Sequence, residues 1–341
     1  MRQSRLKAPR HLPVAHYHCI SRVVNRDFVL LTPEKEMFVG LMRMYERLCG
    51  VRVLTFCVLA NHFHLLIEVP RRPATPPDEA WLLSTVASAL GKTRAHLLGE
   101  QLRQLHAAGA HEAAQAVVDG WLARMWDVSA FMKVLKQHFT QWFNKQHKRK
   151  GTLWEERFRS VLVEGGGTAL AMVAAYIDLN PLRAGIVTDP KDYRWCGYAQ
   201  AIAGVKRAKE GMHTAVQAQR QGVSVPQTRA TDEYRVLLLT WGQNRGAKAD
   251  GTPLKRGFDR KAATKQLATG ARLSHAELLR CRVRYFTDGA VIGGRAFVEK
   301  VFTATRKRYG AKRKDGARRC RGISPEAEIY VLRDLQRRVF E

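Results

Sequence analysis

Residues 51–69 read VRVLTFCVLANHFHLLIEV. Two runs rich in apolar and β-branched residues meet there at Ala60–Asn61, which is typical of a β-hairpin. Towards the N-terminus, the run at 16–24 predicts a strand, and the spacing of apolar residues at 33–49 predicts a helix. The first part of the chain is therefore predicted to have the order β-α-β-β.

Similar patterns continue towards the C-terminus. An Ala/Leu-rich stretch at 78–128 predicts one or two helices with a break near Gly109, and 130–147 predicts another helix. Residues 157–164 alternate as a half-buried strand does, and 168–179 predict a helix that is interrupted at Asn180–Pro181. The whole core is predicted to be β-α-β-β-α-β-α, which is an α+β fold.

The length of 341 residues suggests a compact domain and an additional module. After Tyr198 the composition changes to Gly, Gln, Lys and Ala, so we predict a linker at 203–230. Short helical patterns follow in a region rich in arginine. We therefore predict a compact domain over 1–202 and a small, basic, helical module over 231–341 that suits DNA binding.

The chain is strongly basic, with 58 Lys and Arg against 30 Asp and Glu and a net charge of +28. Residues 205–341 hold 31 basic and 13 acidic side chains, a net charge of +18. Such an excess attracts polyanions, and nucleic acid is the commonest of these. The stretch RKRYGAKRKDGARRCR at 306–321 is either an arm that follows phosphates or a disordered tail.

Six cysteines are scattered without a C-x-x-C pair, which argues against a zinc ribbon or a disulfide framework. The N-terminus has no apolar signal region, and no stretch reaches the length of a membrane span. We therefore expect a soluble, cytoplasmic protein that is associated with the nucleoid and has no membrane partner.

His62 and His64 are two residues apart on the predicted strand, so their imidazoles should leave the same face while Phe63 points into the core. Tyr176 and Asn180 are four residues apart at a helix end, so their side chains should share one face of the helix. The phenol and the amide oxygen could then converge on a metal held by the two histidines. A structural interpretation exists for each: histidines on a polar sheet face, a core tyrosine, and an asparagine that caps the segment at Pro181.

The chain resembles the REP-associated tyrosine transposases, a branch of the HUH single-tyrosine transposase superfamily. The matching stretches are HYHCISRVVNR at 16–26, ANHFHLLIEVP at 60–70, GTLWEERFRSVLVE at 151–164 and YIDLNPLRAGIV at 176–187. The resemblance covers about residues 10–200. It implies that 1–202 is an HUH-type catalytic domain and that 71–128 is a helical insertion.

This resemblance implies a ferredoxin-like antiparallel sheet with helices on one face. It also implies that His62 and His64 bind Mg²⁺ or Mn²⁺, that Tyr176 is the nucleophile, and that Asn180 supplies a third ligand. The implied activity is nicking and joining of single-stranded DNA at hairpins, through a phosphotyrosine at the DNA 5′ end. A monomer and a homodimer are equally compatible with this activity.

Candidate phosphate contacts are basic side chains near the site and in the C-terminal stretch. Arg157 and Arg159 are two apart on the predicted strand, so both side chains can face the phosphates. The full set is Lys148, Arg149, Lys150, Arg157, Arg159, Arg306, Lys307, Arg308, Lys312 and Arg313. The alternative for the Lys-Arg-Lys run is solvated surface charge.

Two other functions remain open from the sequence. One is a binding protein that holds hairpin DNA or RNA without cutting it, with a merely structural histidine pair. The other is a metal phosphoesterase in which water attacks the phosphate and Tyr176 takes no part.

Overall fold

A computed structural model describes residues 6–9, 12–220, 223–241, 245–247, 253–255, 286, 289–310, 313–320 and 328–333. The strands are β1 (Val14–Arg22), β2 (Arg52–Val58), β3 (His62–Pro70), β4 (Arg159–Val163), β5 (Arg245–Ala247), β6 (Pro253–Lys255), β7 (Val291–Gly293), β8 (Arg318–Arg319) and β9 (Tyr330–Leu332). The helices are α1 (Thr32–Leu48), α2 (Glu79–Leu90), α3 (Lys92–Ala107), α4 (His111–Leu122), α5 (Val128–Gln146), α6 (Thr168–Asp178), α7 (Asn180–Arg183), α8 (Gly197–Ile202), α9 (Lys206–Gln219), α10 (Gln227–Trp241) and α11 (Arg295–Ala304). The fold is therefore α+β, as the order of patterns predicted.

The centre of the fold is a sheet in which the first four strands lie in the order β2-β3-β1-β4. Each neighbouring pair in this set is antiparallel. β2 and β3 form the predicted hairpin, and its short connection around Ala60 places the two histidines at the beginning of β3. The sequence of β3 thus sets which residues face each side of the sheet.

Helices cover both faces of this sheet, so the prediction of helices on one face was wrong. On one face, Phe63 packs against Phe38 of α1, with ring centroids 4.5 Å apart. On the other face, Leu66 belongs to a second apolar cluster that is formed largely by α6 and α9. The physical reason is visible in β2, where six consecutive residues from Val53 are buried, so neither face can be left to water.

The segment 71–128 forms three helices, α2 to α4, rather than one or two. Gly109 separates α3 from α4 as predicted, and Gly91 makes the other break; both glycines have positive φ angles. Leu82 and Val86 of α2 are buried in the cluster that contains Phe63. The insertion therefore packs on the face of the sheet opposite to the two histidines.

The region 203–230, predicted as a linker, contains helix α9 and the beginning of α10. Its buried positions are 208, 211, 212, 215 and 216, which have the spacing of one helix face. Most of these residues are small, so the helix lies close to β2: a Cβ atom added to Gly211 would be 2.1 Å from the carbonyl oxygen of Leu54. The glycine and alanine content reflects close packing here.

Gly211→Ala should therefore destabilise the protein, because the added methyl group meets backbone that cannot move away easily. We expect the free energy of unfolding to fall by about 1–3 kcal/mol or more. Gly40→Ala is the matched control, since Gly40 lies within α1 and its Cβ would meet nothing within 4 Å. That control should gain about 0.5–1 kcal/mol from helix propensity. Chemical denaturation measures both, and equal stability of the two variants would contradict this packing.

The C-terminal region contributes strands to the main sheet and is not only helical. β7 pairs with β4 in parallel, and β9 and β8 follow, so the sheet has seven strands in the order β2-β3-β1-β4-β7-β9-β8. The strand pairing occurs because Val291 and Ile292 are apolar and their neighbour β4 is largely buried. DNA binding by this region stays a prediction.

Among the described residues, we find no helix with the length and apolar character that crossing a bilayer requires.

Candidate active site

His62 and His64 lie on the face of β3 that carries α6. Phe63 between them points to the opposite face, as strand alternation requires. The imidazole ring centroids of His62 and His64 are 5.1 Å apart, with the rings edge to face. Two nitrogen donors therefore lie side by side near the beginning of the strand.

Tyr176 packs against this pair from helix α6. Ten consecutive residues of α6 are buried, because the helix lies between the sheet and helices α9 and α10. The Tyr176 ring is edge-on to His64 with centroids 5.7 Å apart, and only 4% of the residue is exposed. A phenol and two imidazoles thus form one enclosed cluster.

The side chain of Asn180 lies at the C-terminal end of α6. Its side-chain amide nitrogen donates to the backbone carbonyl oxygens of Tyr176 at 2.8 Å and Ile177 at 3.1 Å. These carbonyls lie in the last turn of α6, where backbone acceptors lack helical partners. Among the described contacts, the Asn180 amide nitrogen caps this helix end and does not meet the imidazoles.

A third imidazole, that of His18 on β1, belongs to the cluster and was not singled out from the sequence. His18 is fully buried, and its Nε2 lies 3.0 Å from Nδ1 of His64. Its ring also contacts Tyr176, with centroids 5.9 Å apart. The available signal was the pair His16 and His18, which alternates on β1 as His62 and His64 do on β3.

Burial keeps these imidazoles neutral. It lowers the pKa of His18 to about 4, with a smaller opposing effect from its hydrogen bond to Phe286. Burial and then Arg22 lower the pKa of His62 to about 4. The pKa of His64 lies well below its ordinary value, first through burial and then through the neighbouring His18, His62 and Arg22. Neutral imidazole is the form that binds metal ions.

The donor set fits a divalent metal ion. The Oδ1 atom of Asn61 lies 2.6 Å from Nδ1 of His62, so this nitrogen donates and leaves Nε2 with a free lone pair. No set of three or more His, Cys, Asp or Glu side chains suited to a metal occurs in the part of the chain that the structure describes. Among the described residues, His62 and His64 are thus the two imidazoles with which a metal could pair here.

Two arginines add positive charge to the site. Arg22 is the register partner of His62 across β1 and β3, so both side chains leave the same face. The guanidinium carbon of Arg183, on α7, lies 5.4 Å from the centroid of the Tyr176 ring. Sequence reasoning missed both, because each becomes a neighbour only through strand register or helix packing.

Phe286 comes from the C-terminal region and covers Tyr176. The two rings are stacked with centroids 4.8 Å apart and planes 18° from parallel. The backbone carbonyl oxygen of Phe286 also lies 2.9 Å from Nδ1 of His18. Phe286 therefore contacts two members of the cluster at once.

The buried carboxylate of Asp178 fixes the position of α6. It accepts hydrogen bonds from Thr55 Oγ1 at 2.7 Å, from the Tyr234 hydroxyl at 2.5 Å and from the Tyr198 backbone N–H at 3.1 Å. Burial raises the pKa of Asp178 to about 6, and these donors oppose the shift. Because they come from β2, α10 and α8, the network holds Tyr176, one half-turn away, against the sheet.

Of the two predicted phosphate contacts near the site, only Arg159 lies on the face of the sheet that carries the histidines. Arg159 is in register with Ile20, and Ile20 is in register with His64. The side chains of Arg159 and His64 therefore leave the same face of the sheet. Arg159 forms an ion pair with Glu156 at 2.7 Å. Arg157 precedes β4 and is exposed, so strand alternation does not place it on this face.

The other predicted contacts lie outside β4. Lys148, Arg149 and Lys150 follow α5, and Arg149 donates to the Thr152 carbonyl oxygen at 3.1 Å. The remaining predicted contacts that the structure describes are Arg306, Lys307 and Arg308, in a short turn after α11, and Arg313. Lys312 lies outside the described residues. DNA contact by any of these side chains stays a prediction.

Comparison with solved structures gives distant likenesses. Neither a protein-family model nor a curated protein matches the chain. A solved structure of a REP-associated tyrosine transposase bound to a REP hairpin is similar to it at 15% sequence identity, covering 60% of this chain and 87% of that one. The TM-score is 0.39, which does not establish a shared fold.

Proposed function

We propose that this chain is a metal-dependent enzyme that nicks and rejoins single-stranded DNA, with Tyr176 as the nucleophile. The antiparallel order β2-β3-β1-β4 supports the ferredoxin-like, HUH-type interpretation of the sequence. His62 and His64 are the proposed metal ligands, and Asn180 the proposed third ligand.

The observation that carries this proposal is the contact between the Tyr176 phenol and the imidazole cluster. Nucleophile and metal ligands must meet at one phosphorus atom, and they come from positions more than a hundred residues apart in the chain. The ring of Tyr176 lies 5.7 Å from that of His64, on the face of the sheet that carries both histidines.

In this proposal, His62 and His64 would hold Mg²⁺ or Mn²⁺, which would supply positive charge to the reacting phosphodiester. Burial lowers the pKa values of His62 and His64, which keeps both imidazoles in the neutral form that metal binding requires. Arg183, beside the phenol, and Arg22, beside His62, contact the same phosphate and orient it. Asp178 keeps the helix of the nucleophile in place.

The reaction exchanges one phosphodiester for another. The Tyr176 oxygen attacks phosphorus, the bond from phosphorus to the 3′ oxygen breaks, and a 5′-phosphotyrosine and a free 3′ hydroxyl result. The phenol loses its proton and the leaving oxygen gains one. Because the phosphotyrosine keeps the bond energy, attack by a 3′ hydroxyl rejoins the strands without ATP.

Single-stranded DNA that flanks a hairpin is the proposed substrate. The net charge of +28 favours a polyanion. The site is enclosed between the sheet, α6 and Phe286, and a single strand can bend into such a site more easily than a duplex can.

The test is incubation of the full chain with labelled hairpin DNA that carries single-stranded flanks, with and without Mn²⁺. We expect a protein–DNA adduct that survives denaturant and that forms only with the metal. Cleavage without an adduct would instead indicate a phosphoesterase that uses water. Binding without cleavage would indicate a binding protein, and either result would contradict the proposal.

Arg183→Ala should slow the cleavage step. Loss of a guanidinium that contacts the reacting phosphate costs on the order of 10- to 100-fold in rate, because one charge-assisted contact disappears from the transition state. Single-turnover cleavage at saturating protein measures this rate separately from DNA affinity. Arg183→Lys should recover only part of the rate, since an ammonium lacks the planar fork.

Arg194→Ala is the matched control for this prediction. Its guanidinium also lies over an aromatic ring, that of Trp195, at 5.8 Å, but it is exposed and pairs with Glu36 away from the cluster. We expect its single-turnover rate to equal that of the wild type. Equal rates for the Arg183 and Arg194 variants would remove Arg183 from the proposed mechanism.

A further inference from the structure

His18 stands at the centre of a chain of hydrogen bonds that ends at the proposed metal ligand His64. The carbonyl oxygen of Phe286 can only accept, so the His18 Nδ1 atom, 2.9 Å away, must carry a proton. In neutral His18 the other ring nitrogen, Nε2, then has a lone pair. This nitrogen faces Nδ1 of His64 at 3.0 Å.

The order of donors along this chain determines the tautomer of His64. Because His18 Nε2 accepts, His64 Nδ1 must donate and therefore carries the ring proton. The Nε2 atom of His64 is then the nitrogen with the free lone pair. His62 reaches the same state by a different route, through Asn61.

We propose that His18 is a positioning residue that holds His64 in the tautomer whose Nε2 atom binds a divalent metal. The inference rests on the proposed metal site at His62 and His64. His18 itself is not a ligand in it, since both of its nitrogens have hydrogen-bond partners. Its imidazole also stacks on His64 with planes 22° from parallel, which fixes the ring orientation.

The His18 Nε2 acceptor matters because, among the described contacts of His64, no other hydrogen bond selects its tautomer. Without it, His64 can place its proton on Nε2 and so block the lone pair, and its ring can rotate. Partners of this kind typically change metal affinity by roughly 10- to 100-fold when they are removed. A histidine that served only packing would not affect metal affinity in this way.

Isothermal titration calorimetry of the metal-free full chain with Mn²⁺ alone tests the inference without DNA or turnover. We expect His18→Leu, which keeps the volume but removes the acceptor, to bind Mn²⁺ roughly 10- to 100-fold more weakly than the wild type. His18→Gln should recover most of the affinity, because its amide oxygen can accept from His64 Nδ1. His16→Leu is the matched control, since His16 is a buried histidine of the same strand that contacts Glu68 instead, and it should bind like the wild type.

Nitrogen chemical shifts of the imidazoles in the metal-free wild type give a second readout that needs no variant to fold. We expect His64 to carry its proton on Nδ1, and an Nε2-protonated His64 would overturn the inference. Wild-type Mn²⁺ binding with equal affinity in His18→Leu would also overturn it, while leaving the metal site intact. Lack of Mn²⁺ binding by the wild type would instead overturn the proposed metal site, and this inference with it.

Discussion

Tyr176→Phe should eliminate the covalent protein–DNA adduct and reduce strand cleavage by at least about 10³-fold. The phenol oxygen is the atom that forms the bond to phosphorus, and no other change in the side chain accompanies its removal. The phenylalanine ring can keep the contacts with His64 and Phe286, so the fold around the site should be preserved. Denaturing electrophoresis of labelled hairpin DNA measures both the adduct and the cleaved strand.

Tyr193→Phe is the matched control for loss of a buried tyrosine hydroxyl. Tyr193 is 3% exposed, and its hydroxyl donates to the Val58 carbonyl oxygen at 2.7 Å, away from the imidazole cluster. The variant should lose about 1 kcal/mol of stability and keep the adduct. An undiminished adduct in Tyr176→Phe would show that another side chain is the nucleophile.

His64→Ala should abolish metal-dependent cleavage, with a fall of at least about 10²-fold, while hairpin affinity stays within about threefold of the wild type. The cleavage effect follows because one of only two imidazole ligands in the proposed metal site is lost. Affinity should persist because phosphate contacts by Lys and Arg supply most of the binding energy for DNA. Cleavage kinetics in Mn²⁺ and fluorescence anisotropy with the same DNA measure the two quantities.

His16→Ala removes another buried histidine from the same face of the sheet and serves as the control. His16 is 7% exposed and lies two residues before His18 on β1, where it is 3.2 Å from the Glu68 carboxylate. We expect this variant to cleave like the wild type. Full cleavage by His64→Ala would refute the metal assignment, and a parallel loss of DNA affinity would indicate unfolding.

The elements that the sequence predicted well are those with a strong local pattern. The hairpin at β2 and β3 follows from two apolar runs around Ala60–Asn61, and the side-chain alternation of β3 follows from the hairpin. α9 was missed, although Ala208, Met212 and Val216 have the spacing of one helix face. Its many small and polar residues made the segment resemble a linker, because small residues are used both in linkers and in close helix–sheet contacts.

The grouping of Tyr176 with the two histidines could also be predicted from local patterns. His62, His64 and Tyr176 belong to stretches whose local pattern already placed them on a strand and near a helix end. Arg183 and Phe286 could not be found, since each reaches Tyr176 only through tertiary packing. The contact of His18 with His64 could not be found either, since the register of β1 against β3 places Ile20, not His18, directly opposite His64. The sequence alone does not contain a rule for such diagonal contacts.

The pairing of β7 with β4 has a consequence for how the protein behaves when it is shortened. β4 would otherwise be the outermost strand of the four-stranded core, with a row of unpaired backbone N–H and C=O groups. Ala290 and Ile292 accept from the N–H groups of Leu162 and Glu164 and so occupy part of this row. A protein that ends before Val291 would present an apolar edge to other copies of itself, and self-association into aggregates would follow.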